Sequence, residues 1–509
     1  MPAKIIAHPS LADRRAKGAD ARIATPPASH TGWVPAPDRA DPVTLLSDQN
    51  VTREQDLVPV RHGRMMVSPF TFYRGAAKIM AADLAGTPIA GLDVQLCGDA
   101  HLSNFGGFAS PERRLLFDLN DFDETLPGPF EYDVKRMAAS FTIAARNNGL
   151  TPAEARDATL ASVRAYREAM VQFAQMGTME LWYTHMSEDD LNATMNQAMQ
   201  GQGASSNGKS HAKGKDPKSK QGAKDKSKGK SLKQPLVDLS ANERALRTAQ
   251  KTLRKAHTRD SLQALSKLAE VVDGRYRIVS QPPVVVPMRD WAAMYDLPND
   301  NIEEGVRELF REYRSTLQDD RRHLLERFEV IDVARKVVGV GSVGTRAFIV
   351  LLQGKDETDP LFLQVKEATR SVLEDHLPKS RYHNPGERVV QGQRMMQAAS
   401  DIYLGWSKGI QADRYFYWRQ LRDMKASAVV EGMTAFGLGL YAKVCGWTLA
   451  RAHARSGDVI ALNEYLGTDD SFDTAIADFS ARYADQNERD YQAFTAAVQS
   501  GRIPAVQGV

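Results

Sequence analysis

"CGDAHLSNFGGF", Cys97 to Phe108, places Asp99, His101 and Asn104 between glycines, directly after the apolar run "LDVQL". The run reads as a buried strand and the polar residues as the loop that leaves it. A second strand-like run, "RRLLFDLND", carries Asp121 and Asp123 just beyond its end, in "NDFDE". Asp and Asn also serve as plain turn residues. Four of them in this order, flanking two strands, read instead as a site. A carboxylate facing a cleft accepts a hydroxyl proton. An Asn carbonyl with a carboxylate suits magnesium, which takes oxygen ligands and keeps part of its water. Phosphoryl transfer needs both parts, one to orient the nucleophile and one to neutralise charge on the moving group.

Outward along the chain, "GVGSVG", Gly339 to Gly344, lies between two strand-like runs, with Gly339, Gly341 and Gly344 as its glycines. A dinucleotide-binding fingerprint would open a helix at this point. A glycine hairpin between strands is the protein-kinase use of the same spacing. The next apolar run, "LFLQVKEA", holds Lys366, placed to pair with nucleotide phosphates.

The 509 residues are 42% apolar and 25% charged, the balance of a globular protein with at least one large core. Two cysteines, Cys97 and Cys445, suggest neither a disulfide framework nor a zinc site, so a reducing compartment, the cytoplasm, is expected. No apolar run is long enough to span a membrane. The net charge of +3 hides an asymmetry: Gly201 to Lys233 holds ten Lys against two Asp, and the remainder is about −5. That stretch has no aromatic residue to stack on bases, so a solvated linker is expected rather than a nucleic-acid arm.

The organisation expected is a polar tail over 1–45, a catalytic-loop and metal-site part of a helical lobe over 46–195, and a disordered Lys/Gly/Ser-rich linker over 196–235. A helical connection over 236–330, a nucleotide-clamp lobe over 331–430 and C-terminal helices over 431–509 follow. "FTFYRGAAKIMAADLAG" has helical spacing up to Gly86. "YDVKRMAASFTIAARNNG" and the run opened by Pro152 read as long helices. "RDSLQALSKLAEVVDG" reads as helical, "YRIVSQPPVVVP" as extended, and "RYFYWRQLRDM" as a strand and turn.

"CGDAHLSNFG" resembles the catalytic loop of aminoglycoside and choline kinases, in which a His-Gly-Asp is followed by an Asn five residues after the Asp. "NDFDETLPGPFEYDVKRMA" is similar to their metal-binding Asp-Phe-Asp stretch with its following Gly-Pro turn and structural Asp. The resemblance implies Asp99 as catalytic base, with His101 matching a histidine often found two residues after it. It implies Asn104, Asp121 and Asp123 as the magnesium set and Asp133 as a brace for the loop. It implies Gly339, Gly341, Gly344 and Lys366 as the ATP clamp. Cys97 stands where the loop histidine would be. The glycine loop and lysine follow the catalytic loop by more than two hundred residues, whereas kinases have them first. The implied fold is therefore α+β and circularly permuted, a small antiparallel-sheet lobe plus a larger, mainly helical lobe. "YAKVCGWTLARAHARSGD", Tyr441 to Asp458, resembles the helix that leads into a kinase catalytic loop, and no such loop follows it. Glu374 and Glu387 are the candidates for the acidic partner of Lys366. From about residue 45 onward the chain also resembles an uncharacterised bacterial family, domain of unknown function 2252, notably in "FTFYRGAA", "GDAHLSNFG" and "RQLRDMK".

The function implied is an ATP- and magnesium-dependent phosphotransferase acting on a small-molecule or protein hydroxyl. Phosphoryl and adenylyl transfer suit the same residues. Two alternatives stand beside it. One is a metallophosphoesterase-type hydrolase built on "GDAH" and "DFDE", for which no Gly-Asn-His stretch or later His-x-His pair is present. The other is a nucleotide-binding pseudokinase with a regulatory role, for which a base at Asp99 would be superfluous.

Overall fold

The computed structural model describes residues 8–207, 236–272, 274–290, 299–337, 339–409, 413–421 and 423–508. It is a mixed α+β protein in which every strand pair among the described residues is antiparallel. The strands are β1 (Asp93–Leu96), β2 (Phe105–Ala109), β3 (Leu115–Leu119), β4 (Leu126–Pro129), β5 (Met186–Ser187), β6 (Ala269–Val272), β7 (Arg275–Ile278) and β8 (Val285–Pro287). They continue with β9 (Glu329–Lys336), β10 (Ala347–Gln353), β11 (Pro360–Glu367), β12 (Gly405–Lys408), β13 (Tyr415–Gln420) and β14 (Ala426–Ser427).

Six strands in the order β12-β13-β11-β10-β9-β8 form one sheet. Its central strands, "AFIVLLQ" and "PLFLQVKE", are buried along almost their whole length because apolar clusters cover both faces. On one face Trp418 stacks on Tyr313 of the Asn299–Ser315 helix, with ring centroids 4.4 Å apart. On the other, strand alternation brings polar side chains together: Gln364 pairs in register with Arg419, and Lys366 with Tyr417.

The larger lobe is built on the Phe130–Asn147, Pro152–Phe173, Ala435–Ala454 and Ser471–Gln499 helices, which pack on one another around the main core. Their ends follow ordinary cap chemistry. Thr151 accepts from the Glu154 amide while Glu154 reaches back to Thr151, with Pro152 in the first turn. Small sheets β14-β2-β3-β5 and β1-β4 lie against these helices. The Pro385–Met396 helix joins the two lobes, since Val389, Val390 and Met396 belong to the main core and the helix also packs on β12 and β13.

Several expectations need correction. Residues 8–45 are not a tail. The Leu11–Ala24 helix and the start of the Pro42–Asn50 helix dock on the C-terminal helices. Arg14 pairs with Asp458 at 2.8 Å, Arg22 donates to the Tyr465 and Leu466 carbonyls at a helix end, and Trp33 packs on Phe479 and Tyr483. "FTFYRGAAKIMAADLAG" is two helices, Pro69–Arg74 and Ala77–Leu84, interrupted at Gly75. The helical run after Asp260 stops at Leu268 and turns into the β6–β7 hairpin, where β-branched Val271 and Val272 and a positive φ at Gly274 favour strands and a turn. The Glu188–Asn207 helix extends into the stretch expected as linker, and the rest of that stretch, from 208 to 235, lies outside the described residues. No helix among the described residues is long and apolar enough to cross a membrane.

Candidate active site

The loop after β1 is held from below. Gly98 has φ +84°, and a Cβ there would lie 2.2 Å from the Glu124 carbonyl oxygen, so glycine alone fits. The Cys97 and Gly98 amides donate to the two oxygens of Asp133, at 2.7 and 3.0 Å. Asp133 is itself buried beside His453 Nε2 at 3.2 Å, whose Nδ1 meets the Tyr166 hydroxyl at 2.9 Å. Above this brace, Asn104 lines the cleft and its Nδ2 donates to the Asp99 carbonyl at 2.7 Å, so its Oδ1 is not used in that bond.

Asp99 has a cation beside it. Its Oδ1 accepts from Arg136 Nε at 2.8 Å, and Arg136 is fixed by the Tyr73 carbonyl at 2.8 Å and the Tyr73 ring beneath its guanidinium. Oδ2 lies 3.7 Å from His101 Nε2. Burial raises the Asp99 carboxyl above its usual range, and Arg136 offsets part of that rise. Burial, then Arg136 and Arg74, push the His101 imidazole well below its usual range, which favours the neutral ring. His101 Nδ1 is buried and has no hydrogen-bond partner.

The loop after β3 carries Asp121 and Asp123. It is clamped by buried Arg388, which donates to the carbonyls of Asp123 at 2.7 Å and Thr125 at 2.5 Å. Lys366 reaches across from β11. Its side chain is only 3% exposed, and Nζ lies 2.6 Å from Asp123 Oδ2 and 3.7 Å from Asp121 Oδ1. Burial alone would depress this ammonium, but the Asp121 and Asp123 charges outweigh it and hold the pKa above its ordinary value. These carboxylates are the lysine's partners, not the expected Glu374 or Glu387. Glu374 Oε1 instead accepts from the Ser371 amide in a local cap, and Glu387 lies in the first turn of the Pro385–Met396 helix. Asp123 is fully engaged: Oδ1 accepts from the Tyr417 hydroxyl at 2.7 Å and Oδ2 also from Ser342 Oγ at 3.2 Å. Burial pushes the Asp123 carboxyl up, and Lys366 and Tyr417 bring it below its usual value.

The glycine string forms a single 3-10 turn, Val340–Ser342, between β9 and β10. Gly339, Gly341 and Ser342 line the cleft. Gly344 sits behind them at φ +85° against the Arg53 side chain. Arg53 anchors the turn through the Val343 carbonyl at 2.5 Å and the Gly341 carbonyl at 2.9 Å.

These segments enclose one cleft of about 440 Å³, within the usual range of small-molecule sites. Asp99, His101, Asn104, Asp121, Asp123, Lys366, Gly339 and Gly341 all line it, and Gly344 does not. The sequence reading missed Arg136, Arg388, Arg53, Ser342 and Tyr417. Tyr417 and Arg419 share a face by simple alternation in "RYFYWRQ", but only the pairing with β11 shows that this face is the cleft.

An α+β fold with a polar cleft between an antiparallel sheet and a helical lobe is the class that this geometry defines. The chain belongs to the family described as uncharacterised proteins conserved in bacteria, domain of unknown function 2252, whose model matches residues 53–234 and 218–497. No curated protein and no solved structure matches it.

Proposed function

We propose that the protein is an ATP- and magnesium-dependent phosphotransferase with a circularly permuted kinase-like fold. One observation carries this reading: Lys366, from the sheet, and Asp121 and Asp123, more than 240 positions earlier, meet in one cleft with Asp99 and Asn104. A packing requirement alone gives no reason to gather a lysine, a glycine turn and these carboxylates from distant segments. Chain order supports the permutation. A strand, a glycine turn, a second strand and a third strand bearing the lysine is the kinase sequence of elements. The Ala435–Ala454 helix ends beside β1, where Ser456 Oγ accepts from the Gln95 amide at 3.0 Å and Gly457 packs on Asp93 and Val94. An unpermuted chain would pass there from helix to catalytic loop.

The residues fit magnesium as a nucleotide-borne ion rather than one in a protein cage. Among the described residues no group of three or more His, Cys, Asp or Glu is arranged to hold a metal. Magnesium typically takes one or two protein oxygens and completes its shell with water and phosphate. Asn104 Oδ1 and the Asp121 carboxylate would supply those oxygens, since Asp123 is occupied by Lys366, Ser342 and Tyr417. When bound, the ion supplies neutralisation of phosphate charge.

The chain's own groups then divide the work. Arg136 holds Asp99 Oδ1, so Oδ2 is the oxygen presented to an acceptor hydroxyl. That hydroxyl gives its proton to Asp99 as its oxygen bonds to the γ-phosphorus. The bond from that phosphorus to the β,γ-bridging oxygen breaks, and ADP leaves with the electron pair. Lys366 has three ammonium donors, and its contact with Asp123 leaves capacity for a phosphate oxygen. The turn at Gly339 and Gly341 offers backbone without side chains.

A thermal-shift screen of nucleotides tests this. ATP with magnesium is expected to raise the melting temperature more than either alone, since a ligand at a hundred times its Kd adds about 2.7 kcal/mol to the native state. No shift with any nucleotide at millimolar concentration would refute the proposal.

A further inference from the structure

A second cavity, of about 340 Å³, lies behind β14. It is bounded by the Glu188–Asn207, Leu236–Ala256 and Ala435–Ala454 helices and by β2 and β3. Its wall is apolar, from Leu246, Ala249, Leu253, Met433, Phe436 and Leu440. Ser427, Ala428 and Glu431 line both this chamber and the polar cleft, so the two are neighbours across one strip of chain. Tyr441, also in the chamber wall, donates its hydroxyl to the Leu102 carbonyl at 2.8 Å and reaches the Phe105 carbonyl at 3.2 Å. Those two carbonyls bracket Asn104. The chamber therefore abuts the loop that carries the proposed base.

A pocket whose wall is mainly apolar favours an occupant with an apolar body. Residues 208–235 connect two of its bounding helices, and with Leu232 as their one large aliphatic residue their sequence offers it little apolar surface. The wall hydroxyls of Thr194, Thr248 and Thr252 are spent on carbonyls of their own helices, so a wholly polar acceptor finds few partners there. The geometry points to an amphipathic acceptor, a small alcohol whose apolar body occupies this chamber and whose hydroxyl passes Ser427 and Ala428 to reach Asp99. This rests on the phosphotransferase reading, and the transfer is the one already written: the hydroxyl proton goes to Asp99, the new bond joins that oxygen to the γ-phosphorus of ATP, and ADP departs.

The test uses the full chain and the series n-hexanol, n-octanol and n-decanol, read by displacement of 1-anilinonaphthalene-8-sulfonate and by ADP release from magnesium-ATP. Affinity is expected to rise about fourfold per added methylene, the transfer value for a buried CH₂. Ala249→Trp should abolish that rise by filling the chamber. Thr252→Phe, one turn further along the same wall, serves as a second variant should the first not fold. Decanol should stimulate ADP release, whereas decyl methyl ether should bind and release none. Alkanols that fail to bind a protein that still turns over ATP with a polar acceptor would overturn the chamber assignment and leave the phosphotransferase reading standing. Chain-length-dependent binding with no ADP release from any alcohol would overturn the acceptor role, and the same result from a protein that shows no thermal shift with magnesium-ATP would remove the phosphotransferase reading beneath it.

Discussion

Replacing Asp99 by Asn is expected to lower turnover by about 10²–10⁴-fold, the usual contribution of a positioned acid–base group, while ATP binding persists. Asn keeps the shape and can still accept from Arg136 Nε through its oxygen, so the loop held by Asp133 has no cause to move. It cannot take the acceptor's proton. The carboxyl's upward shift from burial makes it a better proton acceptor than an exposed Asp, and that advantage is lost with the charge. Steady-state kinetics beside an ATP titration separates the two effects. Wild-type turnover in the variant would show that Asp99 is not the base.

The largest effect on stability is expected at Arg451. Its guanidinium is buried on the Ala435–Ala454 helix and pairs with buried Asp118 on β3. It also donates to the Met396 carbonyl at 2.7 Å, where the Pro385–Met396 helix ends, and Asp118 Oδ2 accepts from the Ala398 amide at 2.9 Å. One ion pair thus joins the helical lobe to the helix that leads into the sheet lobe. Arg451→Met leaves Asp118 charged, buried and without its cation, a change that typically costs about 3–5 kcal/mol. The double variant Arg451→Met with Asp118→Leu should recover part of that loss, because two apolar groups replace the pair. Urea unfolding checks both. A loss below about 1 kcal/mol in the single variant would mean that Asp118 is relieved by protonation or water.

How much of this was legible in the sequence depended on distance along the chain. The loop from Cys97 to Asn104 and the Asp121–Asp123 pair could be read because their spacing is local and the strands flanking them are short apolar runs. The glycine turn and its three strands were legible for the same reason. That Lys366 closes on Asp123 depends on how two lobes meet, and no local pattern encodes it. Glu374 and Glu387 were offered as its partners only because the kinases that the motifs resemble pair their lysine with a helix acid; on the Pro385–Met396 helix it is Arg388, not Glu387, that reaches the Asp123 loop. Residues 8–45 looked like a tail because their apolar anchors, Trp33 and Val43 among them, are sparse and gain meaning only from the helix Ser471–Gln499 that receives them. The buried arginines were invisible for a related reason. Arg53, Arg136 and Arg388 look like surface charge until the carbonyls and carboxylates they serve are in place.

The central claim is that segments far apart in the chain form one nucleotide site, and a double-mutant cycle on ATP binding tests it most directly. The affinity for ATP with magnesium is measured in the wild type, in Lys366→Met, in Asn104→Ala and in the double variant. Each single change is predicted to weaken binding, and their effects are predicted to be non-additive by about 0.5–3 kcal/mol, as for residues that share a partner. ATP affinity unchanged in both single variants, or a protein that binds no ATP at all, would contradict it.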